Sequence, residues 1–143
     1  MSDERFAAYL STNIVDRAGR IWAGPGAIDH LPVDEPVFVI TAHNPGLDVL
    51  SDIDNATRNN ALRRALNELD PASIDDVIGR ADPGGEPWEE ASFAVSGVRD
   101  TDIGRLAAEY GQWAYFVLTE TEQRVVAVDE VIDHPGAMRP RQP

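Results

Sequence analysis

The sequence VFVITAHNPG, residues 37–46, contains the strongest structural signal of the chain. Its first part is a continuous run of β-branched and aromatic residues, the pattern of a short strand that is buried on both faces. We therefore expect residues 37–41 to form a central strand. Its second part, from His43 to Gly46, is polar and favours a turn. The sequence thus predicts that an irregular loop leaves the end of a central strand, which is where functional residues often lie.

The patterns around this stretch predict an α+β domain. Ser51 begins a helix, and Asp54 three residues later suits a capping box in which Asp replaces Glu. The other predicted elements are strands at 73–79, 88–96, 113–118 and 124–128 and a second helix from about Thr101. The order from residue 37 is β-α-β-β-α-β, the ferredoxin-like order. We expect a mainly antiparallel sheet with both helices on one face, an N-terminal hairpin around residues 16–19 and an extra C-terminal strand.

The chain length of 143 residues suits one domain, which we expect to span residues 1–132. Residues 133–143 are rich in proline and arginine, and we expect them to be a disordered tail.

The first helix places amides where amphipathicity would place apolar residues. At about 100° per residue, Leu62 and Leu66 define its inward face, and Asn55 and Asn59 fall on the same face nearer the N-terminus. Arg58 lies at the edge of that face. One interpretation is that Asn44 of the loop, Asn55, Arg58 and Asn59 converge on an anionic or amide-bearing ligand at the helix N-terminus. The other is that the asparagines hold the loop by bonding its backbone.

Further polar residues are candidates for the same site. Glu90 and Ser92 share one face of a predicted strand, which a ferredoxin-like sheet places beside Thr41. Gln112 opens the next strand after the second helix. Glu90 is the candidate base, since burial would raise its pKa, and the alternative is a solvated edge residue. His43 is a candidate acid or base, although a lone loop histidine is usually a surface residue.

Composition excludes several chemistries. The chain lacks cysteine and lysine, so thiolate sites, Schiff bases and the lysine of a P-loop are absent. The histidines have no metal-ligand spacing and there is no G-x-G-x-x-G motif, so we expect neither a metal nor a cofactor. A net charge of −13 disfavours direct nucleic-acid binding and allows a basic protein partner. Without an apolar membrane-length run or a signal sequence, we expect a cytoplasmic protein with no membrane association.

Four motifs in register resemble a family of short bacterial and phage-associated proteins that is a domain of unknown function, DUF3293. They are I-T-A-x-N-P at residues 40–45, N-x-x-x-N-x-x-L at 55–62, E-x-S-F at 90–93 and G-Q-x-A at 111–114. The resemblance covers residues 9–128. It implies that these residues belong together and implies no particular chemistry.

Three functions are compatible with the sequence. The first is a domain that binds a small polar ligand, a nucleotide or a metabolite, between the 43–46 loop, the start of the first helix and the strand of Glu90 and Ser92. The second is an acidic interaction or inhibitor protein with a basic partner. The third is a small hydrolase in which Glu90 or His43 activates water.

Overall fold

The computed structural model describes residues 12–24, 30–44, 49–80 and 89–128 and the backbone of 132–134. The helices are α1 (Asp52–Glu68) and α2 (Asp100–Glu109). The strands are β1 (Asn13–Asp16), β2 (Ile21–Ala23), β3 (Val37–Ile40), β4 (Ser73–Arg80), β5 (Glu89–Ser96), β6 (Ala114–Leu118), β7 (Gln123–Ala127) and β8 (Ile132–His134). Pro45 and Gly46 of the predicted loop, residues 1–11 of the predicted domain and residues 135–143 of the predicted tail lie outside the described residues.

The prediction of an α+β fold is confirmed. The eight described strands form one sheet in the order β2-β1-β4-β5-β3-β6-β7-β8, and all neighbouring strands are antiparallel. The whole sheet is wider than the four strands of a ferredoxin-like domain, because the β1–β2 hairpin covers the edge of β4 and further strands cover the edge of β6. These additions pair backbone groups that an open edge leaves exposed.

The expectation of a single extra C-terminal strand is wrong, since both β7 and β8 follow β6. β8 has three residues, too few for an alternating pattern to reveal it in the sequence. It includes Asp133 and His134, the first two residues of the predicted tail.

Local sequence explains the ends of α1. The Ser51 hydroxyl accepts a hydrogen bond from the backbone N–H of Asp54 at 3.2 Å, as the predicted cap requires. Asp52 and Asp54 lie in the first turn, where their negative charges interact favourably with the positive end of the helix dipole. At the other end, Asp70 has a φ of 54° and Pro71 follows, so the helix cannot continue.

The two faces of the sheet carry separate cores. Buried residues of both helices pack against one face, as predicted; this helix-side core contains Phe38, Ile40, Leu62, Leu66, Phe93, Val95, Ile103, Leu106 and Tyr115. The opposite face has a core that contains Ile14, Trp22, Val37, Val39, Ala94, Phe116, Leu118 and Val125. β3 contributes to both cores and all four of its residues are buried, which confirms the prediction of a central strand.

The sheet curls toward the face that has no helix. Gly24, just after the edge strand β2, donates its N–H to Oε1 of Gln123 in β7 at 2.9 Å, although five strands separate β2 from β7 in the sheet order. Trp22 is fully buried on this side, and its indole N–H donates to Asp16 at 2.8 Å. The face without helices is therefore concave, and we call it the concave face.

Candidate functional site

Side chains of α1 hold the loop that follows β3. Asn59 accepts a hydrogen bond from the N–H of Ala42 at 2.8 Å, and Nε of Arg58 donates to the carbonyl of Ala42 at 2.8 Å. Asn55 accepts from the N–H of Asn44 at 2.8 Å and donates to the Asn44 side chain at 2.9 Å. The loop turns at Asn44, whose φ is 43°. The amides predicted on the inward face of α1 thus satisfy loop backbone, which the sheet no longer pairs.

His43 is fixed by its backbone. Its N–H donates to the hydroxyl of Thr41 at 3.0 Å, and its carbonyl accepts from Nε2 of Gln112 at 3.1 Å. Desolvation lowers the pKa of His43, and the negative charge of Asp52 opposes the shift. Nδ1 of His43 is buried and has no hydrogen-bond partner within the described residues. The histidine is therefore predominantly neutral at pH 7.

The same group of side chains fixes β5 at Ala91. The β3–β5 ladder ends at the pair Ile40 and Phe93, so the next part of β5 has no strand partner on that side. Two side chains replace the missing strand: the Thr41 hydroxyl donates to the carbonyl of Ala91 at 2.7 Å, and Nδ2 of Asn59 donates to it at 3.0 Å. Ala91 lies between Glu90 and Ser92, so these bonds position both residues.

A cavity of about 230 Å³ lies on the concave face at this end of the sheet. It collects residues from the start of β1, the end of β3, the β4–β5 pair and the start of β6. Its apolar lining is Ile14, Val39, Ile40, Ala114 and Phe116, and its polar lining is Thr12, Thr41, Glu90, Ser92 and Gln112. Gly79 completes the wall. A mainly apolar cavity with a few convergent polar groups is the usual form of a small-ligand site.

Glu90 is the unusual member of this lining. It is paired in the β4–β5 ladder with Gly79, which leaves space in front of its side chain. Its carboxylate has neither a hydrogen bond nor an ion pair in the part of the chain that the structure describes, and desolvation raises its pKa to about 7. The neighbouring Glu89, on the other face of the strand, pairs with Arg80 at 3.1 Å. Glu90 is thus a largely desolvated acid for which the described residues provide no compensating charge.

The structure divides the predicted site residues into two groups. Thr41, Glu90, Ser92 and Gln112 line the cavity. The other group holds the loop on the helix side of the sheet and consists of Asn44, Asn55, Arg58 and Asn59. The side chain of His43 is not part of the cavity lining. Three residues connect the groups. Thr41 and Asn59 bond the carbonyl of Ala91, between Glu90 and Ser92, and Gln112 of the cavity lining bonds the carbonyl of His43 in the loop.

Sequence reasoning missed Thr12 and Gly79. Thr12 carries no signal in the sequence, because it joins the cavity only through the pairing of β1 with β4. Gly79 carries a weak one, since a glycine inside a strand pattern often marks a place where space is needed.

Two other findings describe the site's surroundings. No three His, Asp or Glu side chains form a metal-binding group among the described residues. In that same part of the chain, neither helix has the length and apolar character needed to cross a membrane.

Fold and site together define an α+β domain with a small, mainly apolar cavity around a carboxyl group that no described residue pairs. The chain belongs to the family described as "Protein of unknown function (DUF3293)", whose model matches residues 40–115, just over half of its length. The match runs from the end of β3 to the start of β6 and includes Thr41, Glu90, Ser92 and Gln112. No curated protein and no solved structure matches the chain.

Proposed function

We propose that this protein is a small-molecule binding domain and that its ligand occupies the cavity on the concave face. The observation that carries the proposal is Glu90, a desolvated carboxyl group that faces an open cavity without a partner among the described residues. Burying an acid without compensation costs free energy, so such groups are found where a function requires them. A ligand that bonds Glu90 would supply the missing compensation.

The size and lining of the cavity favour a metabolite over a nucleotide. Its volume of about 230 Å³ is below the roughly 300 Å³ at which sites for drug-sized ligands begin. Phosphate groups would meet Glu90 and a net charge of −13, which repel them. The proposed site lies on the opposite face of the sheet from the N-terminus of α1. The loop at Ala42, His43 and Asn44 lies on the helix side of the sheet.

We also propose that residues 37–118 form a ferredoxin-like unit. The four strands of the β-α-β-β-α-β segment are neighbours in the order β4-β5-β3-β6, and both helices pack on one face. The hairpin and the strands β7 and β8 then serve as additions that curl the sheet and enclose the cavity.

A second candidate function is hydrolysis with Glu90 as the general base. A carboxyl group with a pKa of about 7 is suited to accept a proton at neutral pH. The hydroxyl groups of Thr41 and Ser92 lie in the same cavity and would orient a water or a substrate. The acidic interaction protein stays a prediction, and so does a role for His43 as a base.

A thermal-shift screen of small metabolites tests the proposed function, because a ligand that binds the native state raises its melting temperature. The decisive variant is Ala114→Leu, which fills the cavity. Its matched control is Ala108→Leu, at an exposed position of α2. We expect compounds that stabilise the wild type and Ala108→Leu to have no effect on Ala114→Leu. Equal shifts in both variants, or a screen without any hit, would contradict the proposal.

A further inference from the structure

We propose that the ligand's polar end is a positively charged hydrogen-bond donor, an ammonium, amidinium or guanidinium group, attached to a short apolar body. This inference rests on the proposed function, because it names the class of ligand that the same cavity takes. It follows from a count of the donors and acceptors that the lining side chains still have to offer.

The donor groups of the polar lining are already used. The Thr41 hydroxyl donates to the carbonyl of Ala91 at 2.7 Å, and the Ser92 hydroxyl donates to the carbonyl of Glu90 at 3.2 Å. The amide nitrogen of Gln112 donates to the carbonyls of His43 and Tyr110 at 3.1 and 3.3 Å. Thr12 also takes part in an interaction of its own. A ligand that needs donors, such as a carboxylate or a phosphate, would find none free on these side chains.

Several hydrogen-bond acceptors of the lining side chains remain available to a ligand. Both partners of the Gln112 amide nitrogen are carbonyl oxygens, which fixes the orientation of the amide and leaves Oε1 without a bond inside the described part of the chain. Ser92 keeps the lone pairs of its hydroxyl. Glu90 adds two carboxylate oxygens. A cavity whose side chains offer an excess of acceptors is complementary to a ligand that donates several N–H groups.

The charge of the cavity points to the same class of ligand. Glu90 is the titratable side chain of the described lining; Thr12, Ile14, Gly79, Thr41, Gln112 and Ala114 face it from the neighbouring strands and are neutral. Arg80 at the end of β4 and Glu89 at the start of β5 form an ion pair with each other on the other face of these strands. A cation in the cavity would therefore pair with Glu90 in a low-dielectric environment, where the attraction is strong. The net charge of −13 attracts cations to the molecule as a whole.

The apolar lining determines the size and the apolar character of the remaining part of the ligand. Val39, Ala114 and Phe116 offer a surface for a short hydrocarbon or a single ring, and Phe116 offers an aromatic contact for the cation or the ring. Benzylammonium has both required parts. Benzyl alcohol and benzoate keep its ring and replace its charge by a neutral or a negative group.

The experiment measures binding of these three probes by isothermal titration calorimetry. At pH 8.5 we expect benzylammonium to bind at least about tenfold more tightly than either analogue, which is the effect of one charge-assisted bond. Glu90→Gln should abolish this preference, and Glu89→Gln, which removes the adjacent exposed carboxylate, should leave it intact. Since the pKa of Glu90 is about 7, affinity for the cation should fall about 30-fold at pH 5.5, where the group is protonated.

The possible results separate this inference from the proposed function. If benzyl alcohol or benzoate binds as tightly as benzylammonium and Ala114→Leu abolishes binding, the cavity is a ligand site and the inference about charge is wrong. Absence of benzylammonium binding at millimolar concentration also overturns the inference. The proposed function itself fails when the metabolite screen yields no compound whose binding depends on Ala114.

Discussion

The desolvation of Glu90 is expected to lower the free energy of unfolding at neutral and alkaline pH. Its pKa is raised from 4.5 to about 7 by desolvation, so the folded state binds the proton more tightly than the unfolded state does. Between pH 4.5 and 7 the folded state therefore carries more protons, and the free energy of unfolding falls as the pH rises. A pKa shift of this size lowers the free energy of unfolding by about 3 kcal/mol above pH 7.

The first residue-scale prediction concerns Glu90→Gln. An amide of the same shape has no charge to desolvate, so we expect the variant to be more stable than the wild type by up to about 3 kcal/mol at pH 8.5. The difference should vanish at about pH 3.5, which lies below both pKa values, so that Glu90 is protonated in the folded and the unfolded state. Urea denaturation at both pH values measures it, with Glu89→Gln as the control. A variant that is less stable than the wild type at pH 8.5 would contradict the uncompensated burial of Glu90.

The second residue-scale prediction concerns Asn59. Its side chain bonds the N–H of Ala42 and the carbonyl of Ala91. In Asn59→Ala the Ala42 N–H loses its partner, whereas the Ala91 carbonyl keeps its bond from the Thr41 hydroxyl. We expect a loss of about 1–3 kcal/mol in the free energy of unfolding, which is the cost of one unsatisfied buried group. Asn60→Ala, at the exposed neighbouring position, is the control and should cost less than about 1 kcal/mol. Equal stability of the two variants would exclude the scaffolding role of Asn59.

At the scale of elements, α1 supports a loop as well as the core. Arg58 joins three segments, because Nε donates to the carbonyl of Ala42 and the other end of the guanidinium donates to the carbonyl of Tyr110 after α2. Its guanidinium carbon also lies 5.7 Å from the centre of the Tyr110 ring. The planar guanidinium donates to both carbonyl groups in a fixed geometry, whereas an apolar side chain has no donor for either.

Replacement of Arg58 by methionine tests this connection. We expect Arg58→Met to lose about 2–3 kcal/mol, since two carbonyl groups lose charge-assisted hydrogen bonds. Arg64→Met, at an exposed position of the same helix, should change stability by less than about 0.5 kcal/mol. Amide hydrogen exchange should show faster exchange at Ala42 and Asn44 in Arg58→Met. Unchanged protection of these amides would refute the connection.

The sequence predicted the helices and strands better than it predicted which groups their polar side chains bond. The apolar run at residues 37–40 predicted β3, and helical spacing correctly predicted that Asn55 and Asn59 face inward. Helical spacing does not identify the hydrogen-bond partner of an inward-facing amide, because a ligand and the backbone of a nearby loop can both satisfy its donors and acceptors. The partner of Asn59 depends on how the chain turns at Ala42, which no local pattern specifies. The three-residue strand β8 was likewise too short for its pattern to be recognised.

In the whole molecule, the curl of the sheet determines which face carries the cavity that contains Glu90. Strand alternation predicted that Glu90 and Ser92 share a face, but it does not say which face is concave. The curl depends on contacts such as that between Gly24 and Gln123, which are 99 residues apart in the chain. The sequence placed the predicted site between the 43–46 loop, the N-terminus of α1 and the strand of Glu90 and Ser92. The cavity on the concave face contains Glu90 and Ser92 and does not include residues of α1.

On this proposal, Glu90 is an acid without a compensating charge among the described residues, and its cavity accepts a cationic ligand. The most direct test is an NMR titration of the carboxyl carbon of Glu90 against pH, with and without benzylammonium. We predict a pKa near 7 in the free protein and a lower pKa in the presence of the cation, because the bound charge favours the ionised carboxylate. A pKa near 4.5 that the cation does not change would contradict the claim.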